Sequence, residues 1–346
     1  MKAVTWQDVR DVRLDDVPEP ELESPGDVII RVTCAAICGS DLHVFHGEVP
    51  GMLPGTICGH EFTGVIESAG DQVYGFSKGD RVVGPFTISC GLCPPCRRGE
   101  YHLCRENIVL GWGMVFGGVA GTQAQYARIP HADINLRRIP DGMDDEKAIF
   151  CGDVLTTAYG AVRNADLRPG DTVAVVGCGP VGIMAVQSAL AMGASRVWAI
   201  DLVEERAALA ASAGAEPIVS SRTNPVSRIN EATDGEGVDV VIEAVGGTKT
   251  LELAFDLVRP GGRIAAVGIS AAESFQYPLM SALAKDVSFR IGVANVLRDI
   301  DATLKLVETG RIDPLLVVSH RIPLTDAVEG YRLFDEKKAN KILIHP

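Results

Sequence analysis

Four cysteines fall within fifteen residues, Cys90, Cys93, Cys96 and Cys104, in the spacing C-x2-C-x2-C-x7-C. Four thiolates from one loop close a tetrahedral zinc site with no open position, which is the chemistry of a structural clamp. The loop Gly91–Arg105 contains Pro94, Pro95 and Gly99 and little apolar content, so it needs such a clamp to hold a shape. The alternatives are an iron–sulfur centre and a zinc ribbon gripping nucleic acid. The seven-residue gap fits no ferredoxin spacing. A net charge of −13, spread along the chain, lacks the basic face that a polyanion requires.

A second motif, Gly177-Cys178-Gly179-Pro180-Val181-Gly182, follows the apolar run Val173–Val176 and opens a helical stretch. An acid, Asp201, ends the next strand. That context is the dinucleotide fingerprint: Gly177 for the sharp turn, Gly179 for backbone approach to the pyrophosphate, Gly182 for packing of helix on strand. Pro180 suits the first helical turn, where its missing N–H costs little. The helix N-terminus then faces the phosphates. The Asp201 carboxylate accepts hydrogen bonds from the ribose hydroxyls of NAD and meets the 2′-phosphate of NADP with like charge, a repulsion of about 4 kcal/mol per unit charge pair at about 4 Å and an effective dielectric near 20. Glu204 and Glu205 add to it. NAD is the expected cofactor.

A third constellation is dispersed: Cys38-Gly39-Ser40-Asp41-Leu42-His43, Gly59-His60-Glu61 and Cys151-Gly152-Asp153. Each part alone reads as an ordinary core cysteine or a satisfied polar group. Together they offer a thiolate, an imidazole and a carboxylate, and three protein ligands with a vacant fourth position mark a catalytic zinc.

The elements that must position these groups change character along the chain of 346 residues, which is long enough for two domains. Up to about Thr157, short β-branched strands (Val28–Val32, Phe62–Ile66, Arg81–Val83) alternate with Pro-Gly and Gly-Asp turns, which predicts an antiparallel β domain. From about Asp171, apolar strands at Val173–Val176, Arg196–Ile200, Pro217–Val219, Val238–Ala244, Arg263–Val267 and Phe289–Val293 alternate with helices such as Glu204–Ala213 and Leu251–Val258, the latter closed by Pro260-Gly261-Gly262. That alternation predicts a doubly wound parallel sheet covered on both faces. After Ala294, a helix (Ile300–Thr309) and a strand (Lys341–Ile344) are too short to fold alone and are expected to return to the first domain. The apolar stretch Val173–Ala194 is broken by Gly177, Gly179, Pro180 and Gly182, so it reads as strand, turn and helix, not as a membrane span. The N-terminus lacks the apolar core of a signal peptide, which predicts a cytoplasmic enzyme. Nine cysteines in that compartment are expected to be free or metal-bound.

With these motifs in order, the chain resembles the zinc-containing medium-chain alcohol dehydrogenases over essentially its full length. The segments that carry the resemblance are Cys38–His43, Gly55–Glu61, the four-cysteine lobe, Leu155-Thr156-Thr157-Ala158-Tyr159-Gly160 and the glycine motif. The resemblance implies a GroES-like antiparallel β catalytic domain (1–153 and 294–346, with the structural-zinc lobe at 90–105). It also implies a Rossmann NAD-binding domain (154–293) of strand order 3-2-1-4-5-6, and a cleft between the two. It implies two zinc ions per chain, the catalytic one on Cys38, His60 and Asp153, with Glu61 close behind and able to replace water on the metal. Ser40 and His43 would relay the alcohol proton, Thr157 would touch the nicotinamide, and Phe86 would line the substrate pocket.

The animal members carry Cys where this chain has Asp153, an exchange that preserves the charge of the ligand set; Cys151 is the competing third ligand. Those members also carry a basic residue at the position of Gly39, whose loss leaves the pyrophosphate to the helix N-terminus and Lys341. The activity implied is reversible oxidation of primary or secondary alcohols with NAD, with no nucleic-acid or membrane partner, by a homotetramer built on sheet edges such as Phe289–Val293. Polyol, amino-alcohol and formaldehyde dehydrogenases of the same fold, a non-catalytic NAD-binding relative and a redox-sensing use of the cysteine lobe are the competing readings. Trp112, Met114 and Phe116 are candidates for a pocket wall or for core, and the loop Ile269–Ser274 is a further candidate for substrate choice.

Overall fold

The strand Val28–Ile37 is β-branched over most of its length and buried on both faces. A strand of that kind belongs in the middle of a sheet. In a computed structural model of the chain, which describes residues 1–269 and 274–346, it holds that place. Antiparallel neighbours flank it, Phe62–Ala69 along one side and Tyr126–Ile129 followed by Ile342–His345 along the other, with Arg81–Val83 and Arg137–Arg138 extending the sheet beyond Phe62–Ala69. The outermost pair, His320–Pro323 on Ile342–His345, is parallel. A three-stranded sheet built on Lys2–Asp8 packs with it around a core that includes Val4, Ile30, Phe62, Ile66 and Tyr331.

This unit comprises Met1–Asp153, Asn295–Glu308 and Val318–Pro346. Its closing strand, residues 342–345, is a long-range return of the chain, paired as Ile342 with Ile37 and Ile344 with Ala35.

The second unit, Val154–Ala294 with Thr309–Val317, is a six-stranded parallel sheet. Its order across the sheet is Glu216–Val219, Arg196–Asp201, Thr172–Val176, Val238–Glu243, Val258–Ala266 and Ser288–Ile291. Counted along the chain that is 3-2-1-4-5-6, with the reversal between the first and fourth strands where a doubly wound sheet binds ligands. Helices Pro180–Ala191, Glu204–Ser212, Pro225–Ala232 and Thr248–Leu257 cross between strands.

Two boundaries differ from the sequence expectation. Pro260-Gly261-Gly262 does not separate helix from strand. The strand already starts at Val258, and the segment is an excursion within it, since Val238 pairs with Val258 but Val240 with Arg263. A bulge of this kind absorbs residues that cannot continue the ladder. Residues 309–317 group with the second unit, where the Gln187 amide donates to the Asp313 carbonyl (3.0 Å) and accepts from its N–H (2.8 Å). Of the loop Ile269–Ser274, residues 270–273 lie outside the described residues. Among the described residues, no helix is long and apolar enough to cross a membrane.

Candidate metal centre

Strand ends deliver the site. Cys38 directly follows Val28–Ile37, His60 and Glu61 directly precede Phe62–Ala69, and Lys341 directly precedes Ile342–His345. Ala35 lies opposite Phe62 and Ile37 opposite Ile342, so all of them arrive at one end of three adjacent strands. Gly59 turns the chain into His60 at φ +89°, and a Cβ there would stand 2.4 Å from the Gln123 side chain, so only glycine fits. Asp153 closes the 3-10 turn Ile149–Gly152, which is tethered by the Phe86 N–H to the Gly152 carbonyl (3.2 Å).

Ligand atoms of Cys38, His60, Glu61 and Asp153 all lie within 4.8 Å of one another. Asp153 Oδ2 is 3.5 Å from Cys38 Sγ and 3.3 Å from His60 Nε2. Tetrahedral zinc with bonds of about 2.0–2.3 Å spaces its ligands about 3.3–3.8 Å apart. The donors therefore fit that ion in type and in spacing.

The electrostatics point the same way. Burial, then the carboxylates of Asp153 and Glu61, push the Cys38 thiol up. Burial disfavours a charged His60 imidazole, yet Asp41, Asp153 and Cys38 outweigh it and raise the ring well above its ordinary value. Such a buried pocket favours positive charge, as a cation-binding site would.

Behind the ligands runs a buried polar chain. Asp41 Oδ1 stands 3.0 Å from His60 Nδ1, an electrostatic neighbour of the ring more than an aligned hydrogen bond. Asp41 Oδ2 accepts from the Cys38 N–H (2.9 Å) and from the Gln123 amide (3.3 Å), and the Tyr331 hydroxyl donates to Gln123 Oε1 (2.9 Å). Such partners fix ligand orientation. Sequence reasoning passed over Asp41, although an acid three residues after Cys38 was a visible signal; Gln123 and Tyr331 gave none.

Ser40, which precedes the short helix Asp41–Phe45, places its Oγ 3.2 Å from His60 Nε2. His43, on that helix, pairs through Nδ1 with Glu48 Oε2 at 2.5 Å. The Phe86 ring lies 6.1 Å and the Trp112 ring 6.4 Å from the His60 ring, both edge-on. Trp112 and Phe116 pack on the core of the first unit, whereas Met114 is exposed.

Two residues lie elsewhere than expected of ligands to the cofactor or the metal. Lys341 is not available to a pyrophosphate: it is 1% exposed, and its Nζ is held by Glu61 Oε1 at 2.5 Å. Its position at the start of a central strand turns it inward. Cys151 is fully buried, with Thr303 as its partner, and lies outside the ligand cluster; burial pushes its thiol up to about 12.

The four cysteine sulfurs of the lobe also lie within 4.8 Å of one another. Short strands Thr87–Ile88 and Ile108–Val109 pair across its base. N–H groups of Leu92 and Cys93 point at Cys90 Sγ (3.5 and 3.4 Å), and that of Cys90 at Cys104 Sγ (3.3 Å). The backbone N–H groups of Arg105 and Cys96 pull the Cys93 thiol down to about 6, whereas burial pushes the Cys96 and Cys104 thiols up. Donors arranged for anionic sulfur suit a thiolate-bound metal.

In the second unit, Gly177 takes φ +95°, and a Cβ on Gly182 would stand 1.8 Å from the Gly177 carbonyl oxygen. Gly179 caps the helix Pro180–Ala191, with Pro180 at its first position and Val181 following. Asp201 accepts from the Cys178 N–H (2.8 Å) and the Val203 N–H (2.9 Å), which fixes its carboxylate beside the glycine turn. Thr157 lies on the helix Val154–Asn164.

Comparison with known proteins agrees with this geometry. Residues 24–141 match the family model described as alcohol dehydrogenase GroES-like domain, and residues 180–309 match that of zinc-binding dehydrogenase. An uncharacterized zinc-type alcohol dehydrogenase-like protein, AdhB, of Bacillus subtilis strain 168 is 38% identical, with 100% of both chains covered. The structure of alcohol dehydrogenase TADH from Thermus sp. ATN1 superposes with a TM-score of 0.97 at 50% identity, covering 100% of this chain and 99% of that one. A zinc-binding dehydrogenase from Sinorhizobium meliloti 1021, bound to NADP, superposes at 0.89 with 29% identity, covering 100% and 99%.

Proposed function

The chain belongs to the zinc-containing medium-chain alcohol dehydrogenase family and is an oxidoreductase of that kind, and from that premise we propose a zinc-dependent, NAD-linked dehydrogenase of small uncharged alcohols, acting reversibly on the aldehyde or ketone. The observation that carries the reading is the convergence of Cys38, His60 and Asp153 on one buried point.

These three residues would hold the catalytic zinc, and Cys90, Cys93, Cys96 and Cys104 the structural one. A bound zinc supplies Lewis acidity that lowers the pKa of an alcohol oxygen, and the nicotinamide supplies the hydride acceptor. The chain's own residues do the rest. The Asp41 carboxylate faces the His60 ring and accepts from the Cys38 backbone N–H, which fixes Cys38. Ser40, at the ligand cluster, would receive the hydroxyl proton, and His43, paired with the 43% exposed Glu48, would be its outlet, as the resemblance implies. Phe86 and Trp112 place aromatic rings beside the metal position, which favours simple alcohols over the more polar polyols and the charged amino alcohols.

Gly177, Gly179, Pro180, Val181 and Gly182 would cradle the pyrophosphate, Asp201 the adenosine ribose, and Thr157, by resemblance, the nicotinamide. Thiolate-bound metals need a reducing compartment, so we place the enzyme in the cytoplasm. Among the described residues, the strand Ser288–Ile291 pairs on one side only, and Leu279, Met280, Leu283 and Ile291 are exposed. An open apolar sheet edge supports assembly of copies, a tetramer by resemblance, and a monomer in size-exclusion chromatography at micromolar concentration would refute it.

The direct test is NAD reduction with a panel of primary and secondary alcohols, polyols and amino alcohols. Turnover confined to simple alcohols supports the reading. Preference for a polyol or amino alcohol would shift the substrate class, and no turnover of any would refute it.

A further inference from the structure

Glu61 and Lys341 form an ion pair almost entirely removed from water, 0% and 1% exposed, beside the proposed metal ligands. The pair is lopsided. Glu61 Oε1 is taken by Lys341 Nζ at 2.5 Å, while Oε2 is buried with no hydrogen-bond partner among the described residues. A carboxylate oxygen in that state costs free energy unless something nearby compensates. What lies nearby is the ligand cluster itself, since a Glu61 oxygen is within 4.8 Å of the Cys38, His60 and Asp153 donor atoms.

Charge counting shows the consequence. A thiolate from Cys38 and a carboxylate from Asp153 balance a divalent ion, with His60 neutral. Glu61 is a third anion in the same buried volume, and Lys341 is the cation that matches it. Take the ammonium away and a buried, uncompensated carboxylate faces a metal with a vacant corner. Joining that metal would satisfy it and convert an open three-ligand site into a closed four-ligand one.

We propose that Lys341 is a positioning residue that restrains Glu61 from the metal and so keeps the fourth coordination position open to substrate. The proposal rests on the reading of Cys38, His60 and Asp153 as ligands and deepens it. It gives Lys341, at the start of a strand 280 positions from Glu61, a task that the bound cofactor does not explain.

The experiment measures zinc release into a colorimetric chelator from the loaded full-length protein, for the wild type and three variants, with thermal unfolding of each as a fold control. Lys341→Met, close in length and uncharged, is expected to release the catalytic zinc about tenfold or more slowly, a change of the size that partners of metal ligands cause but towards tighter binding, because a fourth protein donor joins the ion. Lys341→Arg, which keeps the charge, should release it near the wild-type rate. Glu61→Gln, nearly isosteric, should also stay within about twofold of wild type, because Glu61 is held off the metal; rapid loss would make it a standing ligand and overturn the proposal. This variant decides the matter even if Lys341→Met fails to fold. Unchanged or faster release from folded Lys341→Met would likewise overturn it. Should the wild type carry zinc only in the cysteine lobe, the three-ligand reading itself fails, an outcome distinct from failure of the restraint.

Discussion

Replacing Asp201 by Asn should turn the enzyme towards NADP. The carboxylate ends the strand Arg196–Asp201 and is pinned by the Cys178 and Val203 N–H groups at 2.8 and 2.9 Å, so it cannot swing away from a phosphate on the adjoining ribose. At about 4 Å and an effective dielectric near 20, one charge pair repels by about 4 kcal/mol. Solvent and salt at a half-exposed position reduce that to about 2 kcal/mol. At about 1.4 kcal/mol per decade, removing the charge should raise the NADP:NAD ratio of kcat/KM by about 30-fold, and by as much as about 700-fold if screening is weak. Arg222 is engaged by both carboxylate oxygens of Glu204 at 2.7 and 2.6 Å, so its charge is already committed. Asn loses one acceptor for a loop N–H, but that penalty falls on both cofactors and cancels in the ratio. The assay is initial-rate kinetics with each cofactor at saturating alcohol. A ratio that moves less than threefold would refute the electrostatic argument.

Other consequences follow from the same geometry. Cys93→Ser should cost one zinc per chain and about 3 kcal/mol of stability, or roughly 6–12 °C of Tm, by metal analysis and thermal unfolding. Cys151→Ala should keep both zincs, since Cys151 lies outside the cluster; loss of the catalytic one would make it the third ligand. Burial raises the Asp239 carboxyl, but the Thr172 N–H and hydroxyl and the Arg259 guanidinium outweigh it and hold it below its ordinary value. A depressed folded pKa contributes stability above the unfolded value near 4 and loses it as pH falls further. Asp239→Asn should therefore destabilise by about 1–2 kcal/mol at pH 7 in urea unfolding, with the gap closing below about pH 4. A gap constant with pH would contradict that assignment.

What could be read from the residues depended on how local each signal was. The glycine turn and the cysteine lobe are contiguous, and their chemistry was legible in place. Cys38, His60 and Asp153 come from three distant segments, so their donor types suggest a shared metal but only the strand ends and the 3-10 turn that deliver them bring them together. The expectation that Lys341 serves the pyrophosphate fails because the local sequence does not show its sheet partner; pairing of Ile342 with Ile37 places it against Glu61. Pro260-Gly261-Gly262 reads as a break for the same reason, since a bulge is defined by the neighbouring strand. Asp41 sat between two residues already singled out, Ser40 and His43, and was passed over because its partners, His60 and Gln123, are remote in sequence.

The most direct test of the central claim is zinc content and alcohol turnover of Asp153→Ala measured together. The account predicts one zinc per chain in place of two, near-complete loss of NAD reduction, and a far-UV spectrum like that of the wild type. Two zincs retained with normal turnover, or a metal-free wild type that oxidises alcohol at the usual rate, would contradict it.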